Sequence, residues 1–274
     1  MSVPRPDFEC VSEMLRTVAA EVVLPRFQAL GDGEIDEKDG GELVTVADLE
    51  SEAWLTRHLP DLMPGSVVVG EEAVFADKTV FDRLSEDAPV WVIDPIDGTW
   101  NFANGRPTFA VIVAYVVRGE VEAGWIYEPV AERLAFGARG DGVSLDGIPV
   151  SLGDGDADAA LVGTAARYLR ERAEAAPETV REVFRPRCAG NEYVRILSGE
   201  RAFSAYTKLL PWDHAAGSFL VREAGGHNAL LDGSRYDLSR PKGDMLTARS
   251  VEIWERVRAV LAADDGKNEH GGEV

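Results

Sequence analysis

Between residues 8 and 30, apolar side chains return at Val11, Met14, Leu15, Val18, Val22 and Phe27. That spacing marks one helical face and predicts an amphipathic helix over 8–30. Gly31, Asp32 and Gly33 end it, and an acidic, glycine-containing loop is expected over 32–42. A second helix is expected over 47–59, capped by Thr45. Its inward face would carry Leu49, Ala53, Trp54 and Leu59, and Pro60 and Pro64 would close it. Strand-like runs follow: short ones at 66–69 and 90–93, and longer ones at 109–117 and 121–127. Arg118-Gly119 joins the last two as a hairpin. Weaker strand signals fall at 133–136 and 150–151. In the second half, strands at 159–163, 202–206 and 245–247 are interleaved with helices at 165–175, 178–184, 192–197, 213–224 and 251–262. Gly225-Gly226 supplies a stop for the fourth of these helices. Helices, then strands, then alternation is the order of an α/β layered protein. A single domain is expected over 5–264, strand-rich to about residue 145 and alternating from 146 onward, with a polar tail over 265–274.

Composition narrows what such a fold could do. Lys and Arg number 28 against 48 Asp and Glu, a net charge of −20. That excludes binding to nucleic acid through a basic surface and attraction to an anionic membrane. A phosphate ligand is still compatible, because bound cations reverse the local field. Cys10 and Cys188 are too few for a disulfide scaffold, so a reduced cytoplasmic chain is expected. No run approaches the roughly 20 apolar residues of a membrane span. Pro4, Asp7 and Glu9 stand where a signal peptide needs its apolar stretch, so no export signal is expected.

The chemistry concentrates at strand ends. In Trp91-Val-Ile-Asp94-Pro95-Ile96-Asp97-Gly98-Thr99, an apolar run stops and two carboxylates follow three residues apart, with Pro95 stiffening the turn between them. Carboxylate and carbonyl oxygens on a rigid turn suit a hard cation such as Mg²⁺. Taken alone, the pair also reads as a capping turn. Gly70-Glu71-Glu72 puts carboxylates after another short strand, which alone is an ordinary solvated loop. In Pro211-Trp212-Asp213-His214, Asp213 starts a helix and alone reads as an N-cap. In Leu43-Val44-Thr45-Val46-Ala47-Asp48, Asp48 falls in a first helical turn, where the macrodipole favours it.

Together these four segments, in this order and at these separations, resemble the inositol monophosphatase family of Mg²⁺-dependent, lithium-sensitive phosphatases. Asn101-Phe102, Ala215-Ala216-Gly217 and Glu223-Ala224-Gly225-Gly226 extend the resemblance, which runs from about residue 8 to 261. It implies an αβαβα sandwich, often dimeric. It implies one metal on Glu71, Asp94 and the Ile96 carbonyl, a second on Asp94, Asp97 and Asp213, and a weaker third near Glu71. Asp48 and Thr99 would orient and deprotonate a water, with Glu71 also counted as catalytic, and the Gly98 and Thr99 amides would meet the phosphate.

The chain departs from that pattern on the substrate side. Inositol-specific members carry a Gly-Ser-Ala-Ala type stretch where this chain has Cys188-Ala189-Gly190-Asn191-Glu192-Tyr193, and a glutamate where it has Tyr206. Tyr206, Glu192 and Asp213 are therefore the expected substrate contacts, with Glu192 a partner for a cationic group and Lys208 nearby. Trp100 would wall the pocket. His214 and Cys188 are read as packing residues, and His58, His227 and His270 as surface. The expected function is a Mg²⁺-dependent phosphomonoesterase for a small soluble ester: inositol monophosphate, histidinol phosphate, a sugar phosphate or a nucleotide 3′-phosphate. The alternative is a regulatory interaction protein on the same scaffold.

Overall fold

The computed structural model describes residues 5–31, 33–38, 41–153, 161–185 and 187–262, which include eight α-helices. These are α1 Phe8–Val18, α2 Val46–Leu62, α3 Glu71–Ala76, α4 Thr99–Ala103, α5 Arg167–Glu174, α6 Ala189–Leu197, α7 Pro211–Glu223 and α8 Val251–Leu261. The larger sheet takes its strands in chain order: Val67–Gly70, Val90–Asp97, Ala110–Val117, Glu120–Glu128, Arg133–Ala138, Gly142–Leu145 and Ile148–Val150. Its first pair is parallel and the rest form an antiparallel meander. The smaller sheet runs Val180–Phe184, Leu161–Ala165, Phe203–Lys208, Lys242–Ala248, His227–Leu230, parallel across its first three strands and antiparallel thereafter.

Both faces of the larger sheet are covered, which is why its strands read as continuous apolar runs rather than alternations. On one face α1 and α2 lay Val11, Leu15, Leu55 and Leu59 over Trp91, Tyr115 and Trp125. On the other, α6 and α7 pack Tyr193, Ile196, Phe219 and Leu220 between Ile112 and Ile126 of the larger sheet and Tyr206 and Met245 of the smaller. Beyond the smaller sheet, α5 and α8 bury Leu169, Trp254 and Val257 against Phe203 and Leu246. The layers are therefore α, β, α, β, α, as the resemblance implied. Trp91 and Trp125 are fully buried, so truncating either to Ala costs about 3–5 kcal/mol.

Several expected elements differ. The 8–30 helix is α-helical only to Val18, then passes through a π turn, Ala19–Val23, and a 3-10 turn, Leu24–Arg26. Pro25 has no N–H for the carbonyl four residues back, so the ladder cannot continue unchanged. The acidic 32–42 segment holds a strand, Ile35–Glu37, paired with Leu43–Thr45; its residues are exposed and gave no apolar signal. Helix α2 runs past Pro60, which sits in its last turn. Its buried face is shifted from the expected one: Leu59 is buried and Trp54 partly so as expected, but Leu49 is 51% exposed, and Asp48, Ser51, Glu52 and Leu55 point inward. Residues 178–184 are not a helix but the edge strand Val180–Phe184, recruited by parallel pairing with Leu161–Ala165. The strands Gly142–Leu145 and His227–Leu230 were not anticipated. Pro211 takes the first position of α7, which leaves Asp213 inside the first turn rather than at the cap. His58 and His227 are half-buried, with ring centroids 4.1 Å from Trp54 and 5.0 Å from Trp254. His270 and the 265–274 tail lie outside the described residues.

Candidate active site

Asp94 and Asp97 belong to one strand rather than flanking a turn. The pairing of Val90–Asp97 with its antiparallel neighbour slips between them, so the chain bulges there and both residues line one cavity of about 560 Å³. Glu71 reaches that cavity from the first position of α3, immediately after the parallel neighbour strand Val67–Gly70. Asp213 reaches it from the first turn of α7. Oxygens of Glu71, Asp94 and Asp213 lie within 4.8 Å of one another.

Such crowding is electrostatically costly. Burial, and then the charges of Glu71, Asp97 and Asp213, push the Asp94 carboxyl well above its ordinary range. Burial, and then Asp97 and Glu71, raise Asp213 in the same way. Asp94 is 1% exposed, and its Oδ1 is buried with no hydrogen-bond partner among the described residues. An orphaned carboxylate oxygen beside the carboxylate oxygens of Glu71 and Asp213 fits a divalent cation of the Mg²⁺ type. Asp97 is held differently: the Gly190 amide donates to its Oδ2 at 2.6 Å and the Cys188 thiol at 3.1 Å. Burial raises it to about 6 against the pull of those hydrogen bonds.

Asp48 closes a capping box with Thr45. The Thr45 amide and hydroxyl donate to Asp48 Oδ2 at 2.9 and 2.6 Å, and the Asp48 amide donates back to the hydroxyl at 3.4 Å. Its other oxygen, Oδ1, accepts from the Thr99 hydroxyl at 3.1 Å. The same hydroxyl is 3.0 Å from the Ile96 carbonyl. Burial lifts Asp48 to about 6. Gly98 precedes Thr99 at φ 94°, and a Cβ there would stand 3.1 Å from the Thr108 carbonyl and 3.2 Å from that of Arg187. Only glycine combines that left-handed backbone with that close approach.

The remaining expected residues separate. Ile96, Gly98, Thr99, Trp100, Lys208 and Asp213 all line the carboxylate cavity. Lys208 also pairs with Glu42. Glu192 does not line it: the carboxylate is buried elsewhere, accepting from the Thr164 hydroxyl and lying 3.9 Å from Arg201 Nε. Tyr206 is buried, its hydroxyl shut away from solvent without a hydrogen-bond partner among the described residues. Neither lines the carboxylate cavity itself: Tyr206 lines an adjoining cavity that shares Lys208 with it, and Glu192 another that shares Arg185 and Arg187. Cys188 is buried and caps α6, accepting from the Asn191 amide at 3.4 Å. His214 lies between the Lys208 carbonyl and the Tyr193 hydroxyl, each at 2.9 Å, and burial lowers it to about 4.

Two residues at the site were not anticipated. Lys38 Nζ sits 2.9 Å from Glu71 and 2.6 Å from Glu72. Burial alone would lower its ammonium, but the two carboxylates outweigh that and hold it above the ordinary lysine range. Glu52 accepts from the Glu72 and Ala73 amides at 2.8 and 2.7 Å, fixing the start of α3 and hence Glu71. Gly70 makes room for it, since a Cβ there would lie 2.3 Å from Glu52 Cδ. Glu52 follows Asp48 by four residues and so shares its helix face, a signal present in the sequence. Lys38, a single lysine in an acidic hairpin, gave none.

A family model described as the inositol monophosphatase family matches residues 6–263. The chain is 36% identical to an inositol-1-monophosphatase of Mycobacterium leprae over 250 residues, covering 82% of this chain and 85% of that one. It is 34% identical to a histidinol-phosphatase of Mycobacterium tuberculosis over 259 residues, covering 89% and 94%. It is 30% identical to a Nus factor SuhB of Pseudomonas aeruginosa over 235 residues, covering 81% and 84%. Among solved structures, an IMPase of Thermotoga maritima superposes with a TM-score of 0.80 at 24% identity, covering 93% of this chain and 96% of that one.

Proposed function

The chain belongs to the inositol monophosphatase family, a family of phosphoric monoester hydrolases, and from that premise we propose that it is a Mg²⁺-dependent phosphomonoesterase for a small soluble ester. The observation that carries this reading is the meeting of Glu71, Asp94 and Asp213 around an orphaned Asp94 oxygen. Glu71, Asp94, the Ile96 carbonyl, Asp97 and Asp213 are the groups that would hold two or three ions. Bound there, divalent cations would neutralise phosphate charge and favour in-line displacement.

The chain's own residues supply the rest. Asp48, raised to about 6, is basic enough near neutral pH to take a proton from water. The Thr99 hydroxyl is held by Asp48 Oδ1 at 3.1 Å, which leaves its lone pairs to orient that water. The Gly98 and Thr99 amides stand at the uncapped start of α4 and donate to phosphate oxygens. Lys38 balances Glu71 and Glu72 without occupying Asp94.

The names of the relatives offer inositol 1-phosphate and histidinol phosphate as substrates. Sugar phosphates and nucleotide 3′-phosphates complete the candidates, and a cytoplasmic homodimer is the expected form. The interaction-protein alternative draws on the relative named as a Nus factor. Asp48, Glu71, Asp94, Asp97, Thr99 and Asp213 together favour catalysis.

The test is phosphate release from inositol 1-phosphate, histidinol phosphate, glycerol phosphate and adenosine 3′,5′-bisphosphate, with Mg²⁺ and with chelator. Release from at least one ester, in Mg²⁺ only, is expected, with inositol 1-phosphate preferred by less than about tenfold over the others. No release from any ester would overturn the reading.

A further inference from the structure

Among the described residues, three cations line the carboxylate cavity: Arg185, Arg187 and Lys208. Lys208 pairs with Glu42, while neither arginine has an ion-pair partner among the described residues. Arg187 is held in another way. Its Cζ lies 4.1 Å from the centroid of the Trp100 ring, and Trp100 also lines the cavity, one residue past Thr99 in the first turn of α4. Arg106 stacks on the same ring at 4.7 Å, anchored by its amide, which donates to the Asn101 carbonyl at 2.8 Å. The backbone of Arg187 is seated on the turn that follows Asp97. Its carbonyl accepts from the Asn101 side-chain amide at 3.3 Å, and a Cβ on Gly98 would stand 3.2 Å from it. Just beyond it, the Cys188 thiol and the Gly190 amide donate to Asp97 Oδ2. Backbone and side chain of Arg187 are thus both tied to the segment that carries Asp97, Gly98 and Thr99.

We propose that Arg187 contacts the substrate directly, donating to a non-bridging oxygen of the phosphate that the Gly98 and Thr99 amides receive, and that Trp100 is the residue that positions it. The proposal rests on the phosphatase reading and adds a protein cation to the site. An arginine paired with a carboxylate spends its N–H fork on that partner, whereas one stacked on an indole keeps the fork free for an anion. Charge spread over the outer oxygens of a transferring phosphoryl group is what such a site has to stabilise, and a donor already held in place stabilises it without reorganising. A lysine at the same position would keep the charge but lose both the fork and the stack.

The full-length protein in saturating Mg²⁺ tests this, by calorimetry with inorganic phosphate and by kcat/KM on whichever of the four esters named above is turned over. Arg187→Gln should weaken phosphate binding about tenfold or more and lower kcat/KM by at least as much. Arg187→Lys should recover only part of the loss. Trp100 is 39% exposed, so replacing it leaves the core intact. Trp100→Leu should weaken phosphate binding as well, and Trp100→Phe, which keeps a ring, should recover most of it. On the Arg187→Gln background, Trp100→Leu should add little, because the ring acts through the guanidinium. Parent-like phosphate affinity in Arg187→Gln would overturn the proposal, and fully additive losses would overturn the positioning role of Trp100. If no ester is turned over but phosphate binding still depends on Arg187, the phosphatase reading falls and the contact stands. If turnover is brisk and Arg187→Gln matches the parent, the phosphatase reading stands and the contact falls. A parent that binds no phosphate would overturn both.

Discussion

Asp94 shows how much a single residue reveals through its surroundings. Its carboxylate was visible in the sequence because it interrupts an apolar strand, and Glu71, Asp97 and Asp213 were visible for similar reasons. Which of them meet came only from the family resemblance, because no local pattern records contacts between elements as far apart in sequence as those of Glu71, Asp94 and Asp213. The roles separate experimentally. Asp97→Asn and Thr99→Ala should each fold normally and lower kcat by about 10²–10⁴-fold, measured as steady-state phosphate release. Cys188→Ser should retain most activity, since a hydroxyl still caps α6 and donates to Asp97; a dead but folded variant would reopen a covalent role. Glu52→Gln should cost about 1–3 kcal/mol by denaturant unfolding, because the amide can answer the Glu72 and Ala73 N–H groups with only one oxygen.

The element scale explains where sequence periodicity misled. The α2 face was misread because its inward stripe carries Asp48, Ser51 and Glu52, polar residues buried to build the site, so the apolar count chose a neighbouring stripe. The 178–184 segment was misread because its strand state comes from pairing with Leu161–Ala165, which no local pattern records. Elements with a self-contained signal were legible, such as the 110–128 hairpin turning at Arg118 (φ 53°) and Gly119 (φ 75°). The capping box joins element to site. Thr45→Ala removes the hydroxyl that donates to Asp48 Oδ2 and accepts from the Asp48 amide, leaving the Thr45 amide as donor, and should destabilise the protein by about 1 kcal/mol in chemical denaturation. It should also reduce turnover by more than that loss of stability explains, because Asp48 then loses its fixed position against Thr99. Equal activity at equal folded fraction would show that the box only caps the helix.

Over the whole molecule, the layered sandwich exists to hold several buried acids close together, and stability should register it. Asp48 and Asp97 are raised to about 6, and Glu52 and Glu72 to about 7, in each case by burial first. Groups raised on folding stabilise below their ordinary pKa, and that contribution is lost as pH climbs through the folded value. His214, lowered to about 4 by burial, acts oppositely: its contribution is present above about 6.5 and is lost as pH falls through about 4. The metal-free protein should therefore melt at lower temperature at about pH 8 than at about pH 5–6. Mg²⁺ should raise the melting temperature most at the higher pH and release protons on binding. A metal-free melting temperature that rises across that range would contradict this assignment.

The most direct measurement follows phosphate release against Mg²⁺ concentration for the parent and Asp94→Asn in one assay. No release is expected in EDTA, with full recovery of the parent as Mg²⁺ is restored. The Asp94→Asn protein should fold and stay inactive at every Mg²⁺ concentration, because the orphaned oxygen in the cluster has lost its charge. Undiminished release in EDTA, or an Asp94→Asn protein as active as the parent, would contradict that expectation.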